Sequence, residues 1–560
     1  MQKRWCIKKA DNKIVKKLAE DLKTTEIIAH LLVLRGINSF EEAKSFFRPT
    51  LENLHDPFLM KDMQRAVDRL SSAIKNNEKI LVYGDYDVDG TTSVAMMYNF
   101  LKKQSQNVGF YIPCRYEEGY GVSLKGIDYA KSNEFSLVIA LDCGTRAIDQ
   151  VDYANARAID FIICDHHATS PQIPNAIAVL NPKQFDCNYP YKELSGCGVG
   201  FKLIQAYSSQ NNIPFNKILE YLDLLAISIG ADIVPMTGEN RVLAFYGLKQ
   251  INSNARMGIK ALIEAASKNK ELTMSDVIFG IAPRINAAGR IDHAKKAVEI
   301  LVEQDYNKAK SLAVEIEKNN KTRKDLDQSI TKEALAMIDE NKKSTVVFSD
   351  KWHKGVVGIV ASRVIESYYK PTIVFAEADG ILTGSARSVH DFDLYEAISN
   401  CSHLCEKFGG HKYAAGLSVK KENLQAFIDM FEEVVSEKIT TEQLSPKIDA
   451  DMEIDINYVN EKMLRIIKRF APFGPLNTPP MFISQEVFDT GYGKKIGADK
   501  SHLRINAKTE RGSIACIGFG MGHFFHKIKN QEKFKICYSI TENEWGGRKT
   551  LQLVLADISS

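Results

Sequence analysis

The chain has 560 residues, 44% hydrophobic and 26% charged, with 73 Lys and Arg against 70 Asp and Glu for a formal net charge of +3. That length exceeds the ~250–300 residues at which single cores stop growing, so several domains are expected, and the composition excludes general disorder. The balanced charge excludes a global cationic field, so a polyanion would have to meet a local patch.

The first 75 residues predict an N-terminal helical cap, because "NKIVKKLAEDL", "TTEIIAHLLVLRGI" and "MQRAVDRLSSAIKNN" space apolar residues at helical intervals. The opening "MQKRWCIKKADNK" has no apolar signal core behind it, and no apolar run in the chain reaches the ~18 residues of a membrane span, so a cytoplasmic location is expected. Residues 76–305 alternate short apolar runs ("KILVY", "SLVIALD", "DFIICD", "AIAVLN") with helix-like stretches, the pattern of a parallel sheet with crossover helices. Residues 306–342 predict one long connecting helix, with Leu312, Ile316, Leu326, Ile330 and Ile338 at roughly helical spacing among dense charges. Residues 343–440 repeat the α/β pattern through "STVVFSD", "GVVGIVASRVIESYY" and "PTIVFAE". "RFAPFGPLNTPP" reads as a hinge. Residues 445–560 have a β texture with turn signals at "ERG" and "WGG", which fits a small OB-like β-barrel of about five strands, a fold that binds single strands through basic grooves and aromatic side chains. Trp545, Arg548 and Lys549 at the "WGG" turn are candidates for that contact, against the plainer reading of a hairpin tip. The fold class expected is therefore α/β, with two α/β domains joined by a long helix and a terminal β module.

Acids gather at the ends of the apolar runs. Asp85, Asp87 and Asp89 follow "KILVY", Asp142 follows "LVIAL", Asp165, His166 and His167 follow "FIIC", and Asp232 ends the apolar segment in "AISIGADIVPM". The carboxyl ends of parallel strands are where such sheets bind ligands. Like charges ~4 Å apart repel by about 4 kcal/mol at an effective dielectric near 20, so the cluster is unfavourable without cations. Carboxylates with imidazoles suit Mn²⁺, and Mg²⁺ where waters complete the shell. A single Asp after a strand is ordinarily a helix cap or turn former; the recurrence at successive run ends carries the metal reading. A calcium loop is excluded because the twelfth position from Asp85 is Met96, not Glu. The ten cysteines include no CxxC pair, and "CSHLC" (Cys401, His403, Cys405) reads more readily as packing than as a metal site.

"GDYDVDGTTS", "LDCG", "CDHH" and "GADIVP" resemble, in order, the four metal-site motifs of the DHH phosphoesterase superfamily. "IPCRYEEGYGVS", "LSGCGVGFK", "APRINAAGR", "WHKGVVGIVASR", "GSARS" and "GGHKYAAGL" narrow the likeness to the RecJ family of bacterial single-strand-specific 5′ to 3′ exodeoxyribonucleases, over nearly the whole chain from about Lys79. The resemblance implies a DHH catalytic domain at 76–305, a DHH-associated substrate-binding domain at 343–440, and a role in DNA repair and recombination. It implies two Mn²⁺ or Mg²⁺ ions bridged by Asp142, with Asp87 on one side and Asp89, His166 and Asp232 on the other. Asp85 and Asp165 would complete or orient the shell, and His167 would stabilise the transition state or assist the leaving oxygen. Arg115, Ser385 and Arg387 resemble residues that grip a 5′ phosphate; Arg284, Asn286 and Arg290 would hold the backbone, with His353, Gly409, Gly410 and His411 as further substrate contacts. A helicase and a single-strand-binding protein are implied as partners. The alternatives are a DHH-type phosphodiesterase on short RNA or cyclic dinucleotides, which would lack the cap and β module, and a non-catalytic replication scaffold, which would have lost metal residues.

Overall fold

The computed structural model describes residues 3–268, 270–378, 380–528 and 533–559. They divide into two compact units, Lys44–Thr322 with Phe470–Thr478, and Met1–Ala43, Arg323–Arg469 and Pro479–Ser560.

The first unit is built on a five-stranded parallel sheet in the order Val108–Tyr111, Ile80–Gly84, Leu137–Leu141, Asp160–Cys164, Ala178–Leu180. The apolar runs are continuous because both faces are covered: every residue of Ile80–Gly84 and Leu137–Leu141 is buried. Helix Val88–Lys102 packs against the strand before it and against helices Gly196–Gln210 and Leu222–Ala231, and is buried along most of its length. Register places Gly84 beside Leu141 and Leu141 beside Cys164, so the residues that follow each strand emerge side by side.

In the second unit, parallel strands Thr345–Ser349 and Thr372–Ala378 continue into antiparallel Ile381–Arg387, Ala414–Lys420 and Cys405–His411. The C-terminal module is a seven-stranded sheet ordered Met452–Glu453, Met481–Val487, Phe534–Trp545, Arg548–Ser559, Gly512–Gly518, His502–Thr509, Lys494–Ile496. Its order does not return to the first strand, so among the described residues the expected barrel is an open OB-like sheet, with more strands than the five expected because two of them span only two and three residues.

Other expectations change. The first 75 residues do not act as one cap, since the division between units falls at Ala43. Before the first helix, Arg4–Ile7 forms a parallel strand with Lys447–Ala450, a pairing across more than 400 residues that local periodicity cannot show. The long helix runs Tyr306–Ala336 and stops short of 342, where Asp339 accepts the Asn341 N–H and turns the chain. The "hinge" is fastened to the first unit: Arg241 donates to the carbonyls of Phe470, Ala471 and Pro472, and Asn477 donates to those of Phe470 and Pro472. Its Pro and Gly content serves a tight turn, not slack.

Candidate metal centre and substrate-binding residues

The strand-end register brings Asp85, Asp142 and Asp165 into one row, and helices supply the rest. Asp87 is the N-cap of helix Val88–Lys102 and accepts the Gly90 N–H at 3.0 Å, which sets Asp89 in the first helical turn. Asp232 ends helix Leu222–Ala231 as its C-cap, so the apolar segment before it is a buried helix. At the centre His166 Nε2 lies 3.2 Å from Asp142 Oδ1, 3.5 Å from Asp232 Oδ2 and 3.8 Å from Asp89 Oδ2. Two donor groups within metal-binding reach result, Asp89 with His166 and Asp232, and Asp142 with His166 and His167.

These donors fit divalent cations. Asp85 Oδ1, Asp142 Oδ1 and both His166 ring nitrogens are buried with no hydrogen-bond partner in the protein. Burial, reinforced by the neighbouring carboxylates, holds Asp85 and Asp142 well above the usual carboxylate range and pushes Asp232 up to about 8. Oxygen and imidazole donors in this mixture match the preferences of Mn²⁺ and Mg²⁺. Asp142 itself adopts a left-handed backbone, φ 59°.

Asp165 is placed differently. It accepts the backbone N–H of Thr145, His166 and His167 at 2.9, 2.7 and 3.1 Å, and the His167 ring Nδ1 lies 2.7 Å from it. Burial alone would raise this carboxyl, yet the His167 contact and these N–H groups hold it well below the ordinary range. It therefore orients the two histidines. Burial, the largest single influence, pushes the His167 ring down, but the Asp165 contact together with the charges of Asp165, Asp232 and Asp89 leaves it with a raised pKa.

Several supporting groups carried no sequence-level assignment. Asp89 accepts the N–H of Gly196 and Cys197 at 2.7 and 2.9 Å and the Ser228 hydroxyl at 2.7 Å. The start of helix Gly196–Gln210 thus faces the acid cluster, and "LSGCG", with Ser195 capping the Gly198 N–H, was the readable signal for it. Tyr120 donates to the Asp142 carbonyl and its hydroxyl lies 3.1 Å from His167 Nε2, while Asn181 donates to the His167 carbonyl and to Thr145. Nothing in "EEGYG" or "LNPK" marked those two.

The remaining candidates separate by unit. Arg115 stacks its guanidinium over Tyr86, 4.7 Å from the ring centre. Arg284 is buried, with Nε 2.6 Å from Glu317 and Nη1 donating to Gly280, so it braces its own helix. Asn286 and Arg290 are half-buried on that helix, and the Arg290 carbonyl accepts the Tyr116 hydroxyl. In the second unit Arg387 donates to Ser362 and Ser385. Gly409, Gly416 and Ser385 form one row across the sheet, and His411, Ala414 and Arg387 form another two residues along. A side chain at Gly409 or Gly416 would meet nothing within 4 Å, so a bare surface flanks the Arg387 row. Gly410 and His411 are exposed there, and His353 accepts the Gly355 N–H. At the β-hairpin tip Arg548 and Lys549 are exposed, with Lys549 3.4 Å from Glu542, and the Trp545 side chain lies outside those described. Cys401 donates its thiol to Ala397, and the "CSHLC" residues join no metal-binding group among the described residues.

Three family models match the chain: the DHH family, N-terminal domain at residues 79–229, the DHHA1 domain at 339–437 and the RecJ OB domain at 450–557. The single-stranded-DNA-specific exonuclease RecJ of Bacillus subtilis (strain 168) is 37% identical over 99% of this chain and 70% of its own length. Its namesake from Haemophilus influenzae is 32% identical over 90% of this chain and 92% of its own length. Among solved structures, RecJ of Thermus thermophilus in complex with Mn²⁺ superposes with a TM-score of 0.86 at 25% identity, covering 100% of this chain and 79% of that one. The strand-end acids, the paired histidines and the three domain matches lead to one assignment: the chain belongs to the RecJ family of single-stranded-DNA-specific exonucleases.

Proposed function

We propose that this chain removes nucleotides from the 5′ end of single-stranded DNA by two-metal phosphodiester hydrolysis. Family membership makes it a hydrolase of single-stranded DNA that works with Mn²⁺ or Mg²⁺. The observation that carries the mechanism is the orphaned donor set of Asp85, Asp142 and His166 beside Asp89 and Asp232. Asp87, Asp89, Asp142, His166 and Asp232 would hold two ions, which when bound lower the pKa of a water and offset charge on the phosphate oxygens. Asp165 fixes the orientation of His167 and raises its pKa, which favours its service as the proton donor toward the leaving oxygen. Tyr120 keeps that ring directed at the cluster.

Polarity requires a grip on the chain end. Arg387 and Ser385, on a sheet surface left bare by glycine, are proposed to grip the terminal phosphate, and Arg115 of the catalytic unit is proposed as a phosphate contact in its own right. Asn286 and Arg290 remain candidates for the backbone, whereas Arg284 would support them from within. The domains proposed are those read from the sequence, with the amendment at Ala43. A helicase and a single-strand-binding protein are proposed partners, because a single-strand enzyme depends on strands being opened and presented. No described helix is long and apolar enough to cross a membrane, and a cytoplasmic site of action is proposed.

A 3′-labelled, 5′-phosphorylated single strand incubated with Mn²⁺ tests this. A ladder shortening from the 5′ end, absent for duplex and for Asp142→Ala, is expected. Turnover of short RNA or cyclic dinucleotides with no such ladder would overturn the substrate.

A further inference from the structure

Two residues of the catalytic unit break a backbone rule in the same manner. Ile233 follows Asp232, one place beyond the C-cap of helix Leu222–Ala231, and has φ 59°. That place in a left-handed backbone is normally Gly. Leu476 has φ 60° in the tight turn Gly474–Asn477, where the N–H of Asn477 donates to the Gly474 carbonyl at 3.0 Å and the N–H of Gly474 donates back at 3.1 Å. With Pro475 second in the turn, the third place is again one that Gly fills. Both side chains stand in solvent, Ile233 72% exposed and Leu476 70%.

An aliphatic side chain in a glycine position that buries nothing is a cost without a folding return. Such strain persists only where the surroundings over-determine it, and it concentrates at functional sites. Here the surroundings do so. Arg241, itself buried, takes the carbonyls of Phe470, Ala471 and Pro472, and Asn477 takes two of the same three. The N–H of Met236 donates to the Pro475 carbonyl at 2.8 Å, which ties the turn to the segment that leaves Asp232. The Met236 side chain comes within 3.0 Å of where a Cβ on Gly474 would stand.

We infer that Ile233 and Leu476 form an apolar shelf for the nucleobases next to the scissile phosphate of single-stranded DNA. The occupant follows from continuity with the metal centre. Ile233 is bonded to Asp232, whose carboxylate lies 3.5 Å from His166, so its exposed side chain adjoins the place where a phosphodiester would be held, and the bases next to that phosphate are within its reach. A single strand exposes the apolar faces of every base, whereas a duplex hides them in its stack. An aliphatic shelf would accept all bases alike and recognise the unpaired state. The inference rests on reading the chain as a single-strand exonuclease.

The test compares kcat/KM on a normal single strand and on the same strand with abasic sites at its first three nucleotides, for the parent protein, Ile233→Asn and Leu476→Gly. Both replacements suit a left-handed backbone, so misfolding does not obscure the result. The parent should lose about tenfold on the abasic strand, the equivalent of one buried aliphatic side chain, and the ratio should fall toward one in each variant. A parent that ignores abasic sites, or variants that keep the parent's ratio, would overturn the shelf while leaving the enzyme assignment intact. A changed oligomeric mass in Leu476→Gly with an unchanged ratio would overturn it in favour of a second copy as the occupant. A parent that cuts no single strand defeats the functional reading itself.

Discussion

Asp89 is a buried carboxylate aimed at other carboxylates, and what makes that tolerable is the start of a helix: two backbone N–H groups and the Ser228 hydroxyl surround it. Gly196 supplies one of those N–H groups, and a Cβ there would stand 2.6 Å from Asp142 Oδ1. Gly196→Ala should therefore displace Asp142 and weaken Mn²⁺ affinity by about 10- to 100-fold, with far-UV circular dichroism unchanged; calorimetric titration of Mn²⁺ checks it. The acids also set a pH dependence. Asp232 has a folded pKa raised to about 8 against an unfolded value of about 4. Between those values the folded state holds the extra proton, so the contribution of this group to stability is present at low pH and lost as pH rises through 8. Metal-free protein should therefore lose Tm from this source across that window, and the Tm gain on adding Mn²⁺ should grow, because cations displace protons more readily from an ionised site. Scanning fluorimetry in EDTA and in Mn²⁺ measures both slopes, and Asp232→Asn should flatten them. The acids were legible in the sequence because they recur at the ends of separate apolar runs. Gly196, Ser228 and Tyr120 were not given roles, since their meaning comes from residues 22 to 139 positions away that only the fold brings together.

Helix Gly196–Gln210 is held to the rest of its unit by charge as well as packing. Lys202 and Glu239 are both fully buried, 2.6 Å apart, and the pair is completed by the Tyr189 hydroxyl, the His55 N–H and the His55 carbonyl. Lys202→Met leaves buried Glu239 without its cation, and unfolding in urea should register a loss of about 3–5 kcal/mol; adding Glu239→Leu should return most of it. The network joins the segment around His55, the loop at Tyr189 and two helices, so its loss should also lower activity by shifting the helix start that cradles Asp89. Elements of this kind were read unevenly from sequence. The parallel strands were plain, because a strand buried on both faces is an unbroken apolar run between polar ends. The long helix was plain for most of its length, and its end was misplaced because the chain leaves the helix at Ala336 and turns at Asp339–Asn341 through a side-chain contact that periodicity does not register. "RFAPFGPLNTPP" was misread as a hinge because composition shows Pro and Gly but not Arg241, which lies more than 200 residues earlier and holds the segment.

At the scale of the chain, the N-terminus is part of the last domain's core. Strand Arg4–Ile7 pairs with Lys447–Ala450, and Trp5 packs beside Ile448, Ala450, Met481, Ile483, Cys537 and Ala556. The Trp5 indole N–H donates to Asp557 at 2.8 Å, Lys3 donates to the Ala556 carbonyl, and Lys8 pairs with buried Asp451 at 2.9 Å. Asp557 is itself buried, so the indole satisfies a carboxylate that would otherwise be left short of a partner. The module matched as the RecJ OB domain begins at residue 450, yet its core is finished only when strand Arg4–Ile7 and its Trp5 arrive. Trp5→Ala removes an aromatic ring from that core and a donor from Asp557 in one step, for an expected loss of about 2–4 kcal/mol in this module. The acid cluster sits in the other compact unit and none of its ligands is touched by the change. Limited proteolysis should therefore cut the variant first near residue 445, well before the catalytic unit is attacked. Cleavage of short oligonucleotides at saturating concentration should persist, while the apparent affinity for long single strands should fall. Simultaneous loss of both units in the protease time course would mean that the stitch supports the whole molecule and not the terminal module alone.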